Sequence, residues 1–189
     1  SQALRLCPDA MCVPVPRQAC GTTSRAIGAV LARFTPVVEG ASIDEWYLDL
    51  SGTEALYAHE SLEQTAQRIR EVVRSETGMF LSIGGGTSKL IAKLAAERAK
   101  PRPETGGTGV RIIAPGDEQT FLRGLALAEI PGIGPKLQTR LKSFGLVRVE
   151  DVLPLERDTL ARWVGGRPAE WLWGRGRGIH AAPVEARHS

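Results

Sequence analysis

The sequence predicts an α+β fold whose strand-bearing part is followed by a small all-helical module. Three observations lead there. Runs rich in β-branched and aromatic residues at 37–50, 80–83 and 110–114 read as strands. Apolar residues at helical spacing lie before and between them, and past Pro115 the strand signals stop and short, glycine-punctuated helices take over. With 189 residues, 42% hydrophobic and 24% charged, the chain can build one substantial core or two small modules in series. No run of 18 apolar residues and no basic-then-apolar leader is present, so no membrane association or secretory signal is expected and a cytoplasmic location follows. Cys7, Cys12 and Cys20 lack CxxC spacing and paired histidines; they are expected to be small buried or half-buried residues rather than a disulfide framework or zinc site.

In chain order, residues 1–8 read as the tail of a helix stopped by Pro8, and Met11 to Val15 as a short strand. Thr22 or Thr23 is expected to cap a helix over 24–34 whose inward stripe is Ile27, Val30, Leu31 and Phe34. Residues 37–50 form two strands of a hairpin. Ser61 and Gln64 make a capping box for a helix with Leu62, Ala66, Ile69 and Val73 inward, ended by Gly78. A strand at 80–83 hands over through Gly84-Gly85-Gly86 to a helix over 87–99, and a loop at 101–109 precedes a last strand at 110–114. Helices follow at about 117–127, 135–144, 149–153, 157–164 and 168–174, then a polar tail from Ala181.

Three motifs carry chemistry. Asp44 and Glu45 open the second strand of the hairpin. Neighbours on a regular strand point to opposite faces, so these carboxylates converge only if a turn rotates one of them. Converged, they repel unless a hard cation such as magnesium sits between them; an exposed acidic pair at a strand edge is the other reading. Gly84 to Lys89 places backbone N–H groups, Ser88 and a lysine at a helix start, which suits a triphosphate, although a plain strand-to-helix turn would look the same. Lys93, one turn on, is either a second cation for the phosphates or part of a solvated stripe. Ile130-Pro131-Gly132-Ile133-Gly134-Pro135-Lys136 has the glycines of a tight helix-helix turn and proline at the first helical position, and resembles a helix-hairpin-helix element that holds DNA phosphate without reading sequence. Residues 130–148 contain Lys136, Arg140, Lys142 and Arg148 and no acid. If all four met phosphates, affinity would fall about a hundredfold between 50 and 200 mM salt. Trp163, Trp171 and Trp173 are expected to pack in the helical module, Arg175 and Arg177 to stand near a backbone phosphate, and His59, His180 and His188 have no evident partners.

Together these segments resemble the Y-family translesion DNA polymerases, the group that contains bacterial DNA polymerase IV. Ser42 to Gly52 is similar to the family's palm motif Ser-Ile-Asp-Glu-Ala-Tyr-Leu-Asp, Ser82 to Pro101 to its Ser-Ile-Gly…Asn-Lys-Leu-Leu-Ala-Lys…Ala-Lys-Pro segment, and Leu125 to Gly145 to its thumb helix-hairpin-helix. The resemblance implies a palm-type mixed or antiparallel sheet covered by helices, then a helix-hairpin-helix thumb. The implied division is a fingers remnant over 1–14, palm over 15–116, thumb over 117–180, and a linker over 181–189 toward a little-finger domain. It makes Asp44 and Glu45 catalytic metal ligands for two magnesium ions, Lys89 and Ser88 contacts to the incoming deoxynucleoside triphosphate, and Gly132, Ile133, Gly134, Lys136 and Arg140 holders of primer-template DNA. Recruitment of a sliding clamp would lie in sequence beyond Ser189, and work on DNA would place the protein at the nucleoid. The implied activity is template-directed synthesis past damaged bases by two-metal nucleotidyl transfer. The family's first metal-binding aspartate has no counterpart in this sequence, so the chain alone is expected not to polymerise. Trp46 stands where alanine is usual, Cys20 where tyrosine is usual, and Ser88 where asparagine is usual. Crowding by Trp46 would favour the alternative of a non-catalytic, DNA-binding homologue with a scaffold role in repair.

Overall fold

A computed structural model describes residues 2–57, 60–102, 106–178 and 182–186. Helix α1 (Gln2–Leu6) ends at the predicted stop. Residues 11–15 do not form the expected strand; Met11, Val13 and Val15 are exposed with no ladder beside them. Cys7 and Cys12 are exposed too, contrary to expectation, while Cys20 is half-buried. Helix α2 (Arg17–Leu31) starts a full turn or more before the predicted threonine cap, because Pro16 sits at its N-cap with φ −75°, a value its ring already fixes. Thr22 and Thr23 are therefore interior. The stripe holds as read: Ile27, Val30, Leu31 and Phe34 are all buried.

Strands β1 (Val37–Gly40) and β2 (Trp46–Asp49) pair antiparallel, Val37 opposite Asp49 and Gly40 opposite Trp46. Because side chains alternate, Val38, Trp46 and Leu48 face a core shared with α2 and helix α3 (Leu62–Thr77), which contributes Ile69 and Val73. The capping box forms as predicted: Gln64 N donates to Ser61 Oγ and Ser61 N to Gln64 Oε1. Gly78 closes α3 at φ +72°, in the left-handed region.

Strand β3 (Ile83–Gly85) lies three residues later than predicted, leaving Phe80 exposed under the Arg74 guanidinium. Its glycines explain the shift. A Cβ on Gly84 would lie 2.1 Å from both Ala92 O and Ala96 N, so helix α4 (Lys89–Ala99) rests directly on the strand backbone. Strand β4 (Val110–Ile112) pairs parallel with β3, giving two two-stranded ladders, one of each sense, rather than one hydrogen-bonded sheet.

Helices α5 (Glu118–Arg123), α6 (Pro135–Ser143), α7 (Val149–Val152), α8 (Arg157–Val164) and α9 (Gly166–Gly176) follow close to the predicted spans. Their core, including Leu122, Leu141, Leu160 and Leu172, is continuous with Leu90, Ile91 and Leu94 of α4. Helix α4 thus seals the sheet on one side and the helical module on the other. The three tryptophans pack on this second core, as expected, with Trp163 stacked on Phe144 at 4.8 Å. The three histidines lie outside the described residues, as does much of the predicted tail; at 182–186 that tail returns to the hairpin, where Glu185 N donates to Glu39. No described helix is long and apolar enough to cross a membrane.

Candidate functional site

The turn between β1 and β2 supplies the rotation that two adjacent acids need in order to converge. Ala41 N and Ser42 N both donate to Glu45 O, at 2.9 and 3.3 Å, folding residues 41–45 into a wide bend instead of continuing the pleat. Ser42 Oγ donates to Asp44 Oδ1 at 2.6 Å and fixes that carboxylate within the bend. Both Glu45 oxygens accept from Lys93 Nζ at 2.7 Å. The Glu45 hydrogen bond lifts Lys93 above the ordinary lysine range against the opposing effect of burial, and Asp44 adds to the rise. Both acids are exposed and both act on one ammonium.

Lys89, a turn earlier on α4, meets the other arm of the hairpin. Its Nζ lies 2.5 Å from Glu39 Oε2, with only 13% and 14% of the two side chains exposed, and 5.4 Å from the Tyr47 ring centre. Glu185 N donates to the same Glu39 oxygen at 2.7 Å. Tyr47 is raised above the usual phenol range first by burial, with Lys93 and Arg175 pulling the other way and Glu45 and Glu39 adding to the rise. The pair Lys89 and Lys93 is therefore a seam stitching α4 to both arms of the hairpin, not a solvated stripe. Ser88 is spent as the α4 cap, its Oγ accepting from Ile91 N at 3.3 Å. Close helix-strand packing accounts for Gly84, and Gly86 makes room for Ile91. The glycine run needs no phosphate to explain it.

Trp46 turns away from this cluster. Its ring packs on the α2–α3 core with Nε1 3.5 Å from where a Gly28 Cβ would stand, so it crowds neither carboxylate.

The donor set suits a hard divalent cation in kind. Magnesium is commonly held by one or two carboxylates, with water and substrate phosphate completing its shell, and Asp44 and Glu45 are two exposed carboxylates on one bend. Among the described residues no three acidic, histidine or cysteine side chains cluster as a full cage, and Glu45 must leave Lys93 to take part. That exchange is cheap, since the pair is 39% and 47% exposed.

At the helical end, Leu127–Glu129 forms a single 3-10 turn before the hairpin. Gly132 has φ +95°, and Gly134 caps α6 with open space where a Cβ would be. The N–H groups of Gly134, Lys136 and Leu137 have no partner among the described residues, the ordinary state of a helix start. Ile133 is turned inward, buried and bonded through its N–H to Ile130 O, so it anchors the turn rather than facing a ligand. Lys136 and Lys142 are exposed with no partner among the described residues. Arg140 instead gives Nε to Trp163 O at 2.5 Å, and Arg148 is held by Glu150 and Gly124 O. Arg177 donates to Trp173 O and Leu153 O, a structural tie rather than a surface cation.

Sequence reasoning missed Glu39, Tyr47 and Arg175 as members of the cluster around the acids. The available signal was the match between lysines four apart on α4 and glutamates on either side of the hairpin turn.

The chain matches the impB/mucB/samB family over residues 1–97 and the HHH motif of that family over 115–146. It is 36% identical over 186 residues to DNA polymerase IV of Aeromonas hydrophila, covering 98% of this chain and 50% of that protein. To DNA polymerase IV of Gluconobacter oxydans it is 33% identical over 182 residues, covering 96% and 49%. Among solved structures, DinB from Sulfolobus solfataricus superimposes with a TM-score of 0.81 at 28% identity over 98% of this chain and 52% of that one. An insertion ternary complex of Dbh DNA polymerase gives 0.79 at 28% identity over 97% and 52%. The chain spans about half the length of these relatives.

Proposed function

Since the chain belongs to the impB/mucB/samB family, the Y-family DNA polymerases, we propose that it forms the palm and thumb of an enzyme that copies DNA past damaged bases. Primer-template DNA and a deoxynucleoside triphosphate are its substrates. The observation that carries this reading is the bend that brings Asp44 and Glu45 together beside Lys93. We place the palm over 15–116 and the thumb over 117–180; the start of the HHH match at residue 115 supports that division.

Asp44 and Glu45 would hold the divalent ions, Glu45 after exchanging from Lys93. When bound, such ions make the primer 3′-hydroxyl a better nucleophile and neutralise charge on the transferring phosphoryl group. Freed from Glu45, the Lys93 ammonium is available to an anion arriving at the same bend. Contact of Lys89 with the triphosphate requires a similar exchange from Glu39, and Ser88 supports it by fixing the start of α4. Gly132, Gly134 and Lys136 hold the backbone of the duplex, Ile133 anchors their turn, and Arg140 adds the guanidinium nitrogens it does not give to Trp163. A third acidic ligand is not among the described residues, and on that ground the isolated chain is inactive. No specific observation favours a purely non-catalytic scaffold once Trp46 is seen to face the other side.

Primer extension tests this reading. We expect none from the 189-residue chain alone. A chimera in which this chain replaces the matching half of the Aeromonas DNA polymerase IV should extend primers, and Asp44→Ala should slow it by more than about a hundredfold. Undiminished extension by that variant would remove Asp44 from the catalytic set.

A further inference from the structure

The hairpin that presents the free N–H groups of Gly134 and Lys136 rests on a side chain almost forty residues away. A Cβ on Gly132 would lie 2.4 Å from Cζ2 of Trp171 and 3.0 Å from Cη2, so the benzo end of the indole lies directly against the turn's backbone. Trp171 belongs to α9, and Arg175, one turn further on, holds its guanidinium 4.6 Å from the ring centre. The inward face of α9 is already filled by Ala169 and Leu172, both fully buried. Trp171, half-buried beside them, is thus not required to close the core; it reaches sideways beneath the hairpin. The turn is clamped at two points, by Ile133 sunk in the core and by the indole under Gly132.

We propose that Trp171 is a positioning residue for DNA capture: its ring, steadied by Arg175, sets the height of the Gly132 turn and so aims the N–H groups at the start of α6 toward a duplex phosphate. This rests on the reading of the hairpin as a holder of DNA backbone and deepens it by naming what fixes the geometry. Tilting the turn would move those N–H groups off the phosphate oxygen while leaving the lysine charges in place. The structure also explains why position 132 must be glycine: any side chain there would both strain the positive φ and strike the indole.

Fluorescence anisotropy of the 189-residue chain on a primer-template duplex, between 50 and 200 mM KCl, tests the inference. Trp171→Ala should weaken binding about tenfold and make the slope of log K against log salt shallower by about 0.9, the loss of one phosphate contact. Trp171→Phe keeps an aromatic ring on α9 while withdrawing the atoms that touch Gly132; it should give a smaller loss of the same kind with little change in unfolding temperature. That keeps the test valid if the alanine variant folds poorly. Gly132→Ala should be damaging alone and partly rescued by Trp171→Phe, which removes the obstacle. A wild-type slope in both Trp171 variants, or strictly additive effects in the Gly132 and Trp171 pair, would overturn the proposal while leaving the hairpin's DNA role intact. Failure of the unmodified chain to bind duplex in a salt-dependent way would overturn both.

Discussion

At the scale of single residues, the decisive contacts are charge pairs whose worth depends on exposure. The Lys89–Glu39 pair is largely covered, and Glu39 also accepts the Glu185 N–H. Removing one member strands a charge. Lys89→Met should therefore cost about 3 kcal/mol in urea unfolding, and the double variant with Glu39→Gln should recover part of that. The Lys93–Glu45 pair is far more open, so Lys93→Met should change stability by less than about 1 kcal/mol. Because the folded-state pKa of Lys93 is raised, its small contribution is present below the unfolded lysine value and disappears only as pH climbs through the higher folded value, in strongly alkaline solution. A pair this easily opened fits a carboxylate that has to change partners.

Elements show where packing overrules local signals. Gly84→Ala would drive a methyl group into the α4 backbone at 2.1 Å and should destabilise by about 3 kcal/mol or prevent folding, measured by circular dichroism. Nothing in the sequence around Gly84 distinguishes a glycine needed for helix-strand contact from one that cradles phosphate; the difference lies in where Ala92 and Ala96 come to rest. The same limit applies at the hairpin, where four cations in sequence become two free ones in space, because Trp163 O captures Arg140 and Glu150 holds Arg148. Lys136→Ala and Lys142→Ala should each reduce the salt slope of duplex binding by about 0.9, and Arg148→Ala should leave it unchanged. Features encoded by contiguous residues were legible: the Ser61–Gln64 box, the Ile27, Val30, Leu31, Phe34 stripe, the hairpin at 37–50 and the five helices after Pro115. Met11 to Val15, with strand-like composition, has no ladder partner among the described residues, and pairing is a property of the partner as much as of the run.

Across the whole molecule, α4 is the member that every part shares. It lies on β3, contributes Leu90, Ile91 and Leu94 to the core of the helical module, ties the hairpin through Lys89 and Lys93, and reaches Glu129, just before the DNA-holding turn, through Arg98 at 2.8 Å. The acids and the hairpin are thereby set at a fixed spacing by one rigid helix. Acid should loosen this assembly in a defined window. Asp49 is held below the usual carboxylate range chiefly by the Ser51 hydroxyl, Asp151 by the backbone N–H of Arg148, and Glu97 by Lys100. Lowered folded values stabilise the fold above the ordinary carboxylate pKa, so thermal stability should hold at neutral pH and fall as pH drops below about 4.

The central claim, that the bend at Asp44 and Glu45 captures a divalent cation, is tested most directly by adding paramagnetic Mn2+ to the isotope-labelled chain and following its amide resonances. The account predicts selective broadening of the signals from residues 42–48, lost in Asp44→Ala and preserved in Lys93→Met. Broadening that is absent from those residues, or equally strong in Asp44→Ala, would contradict it.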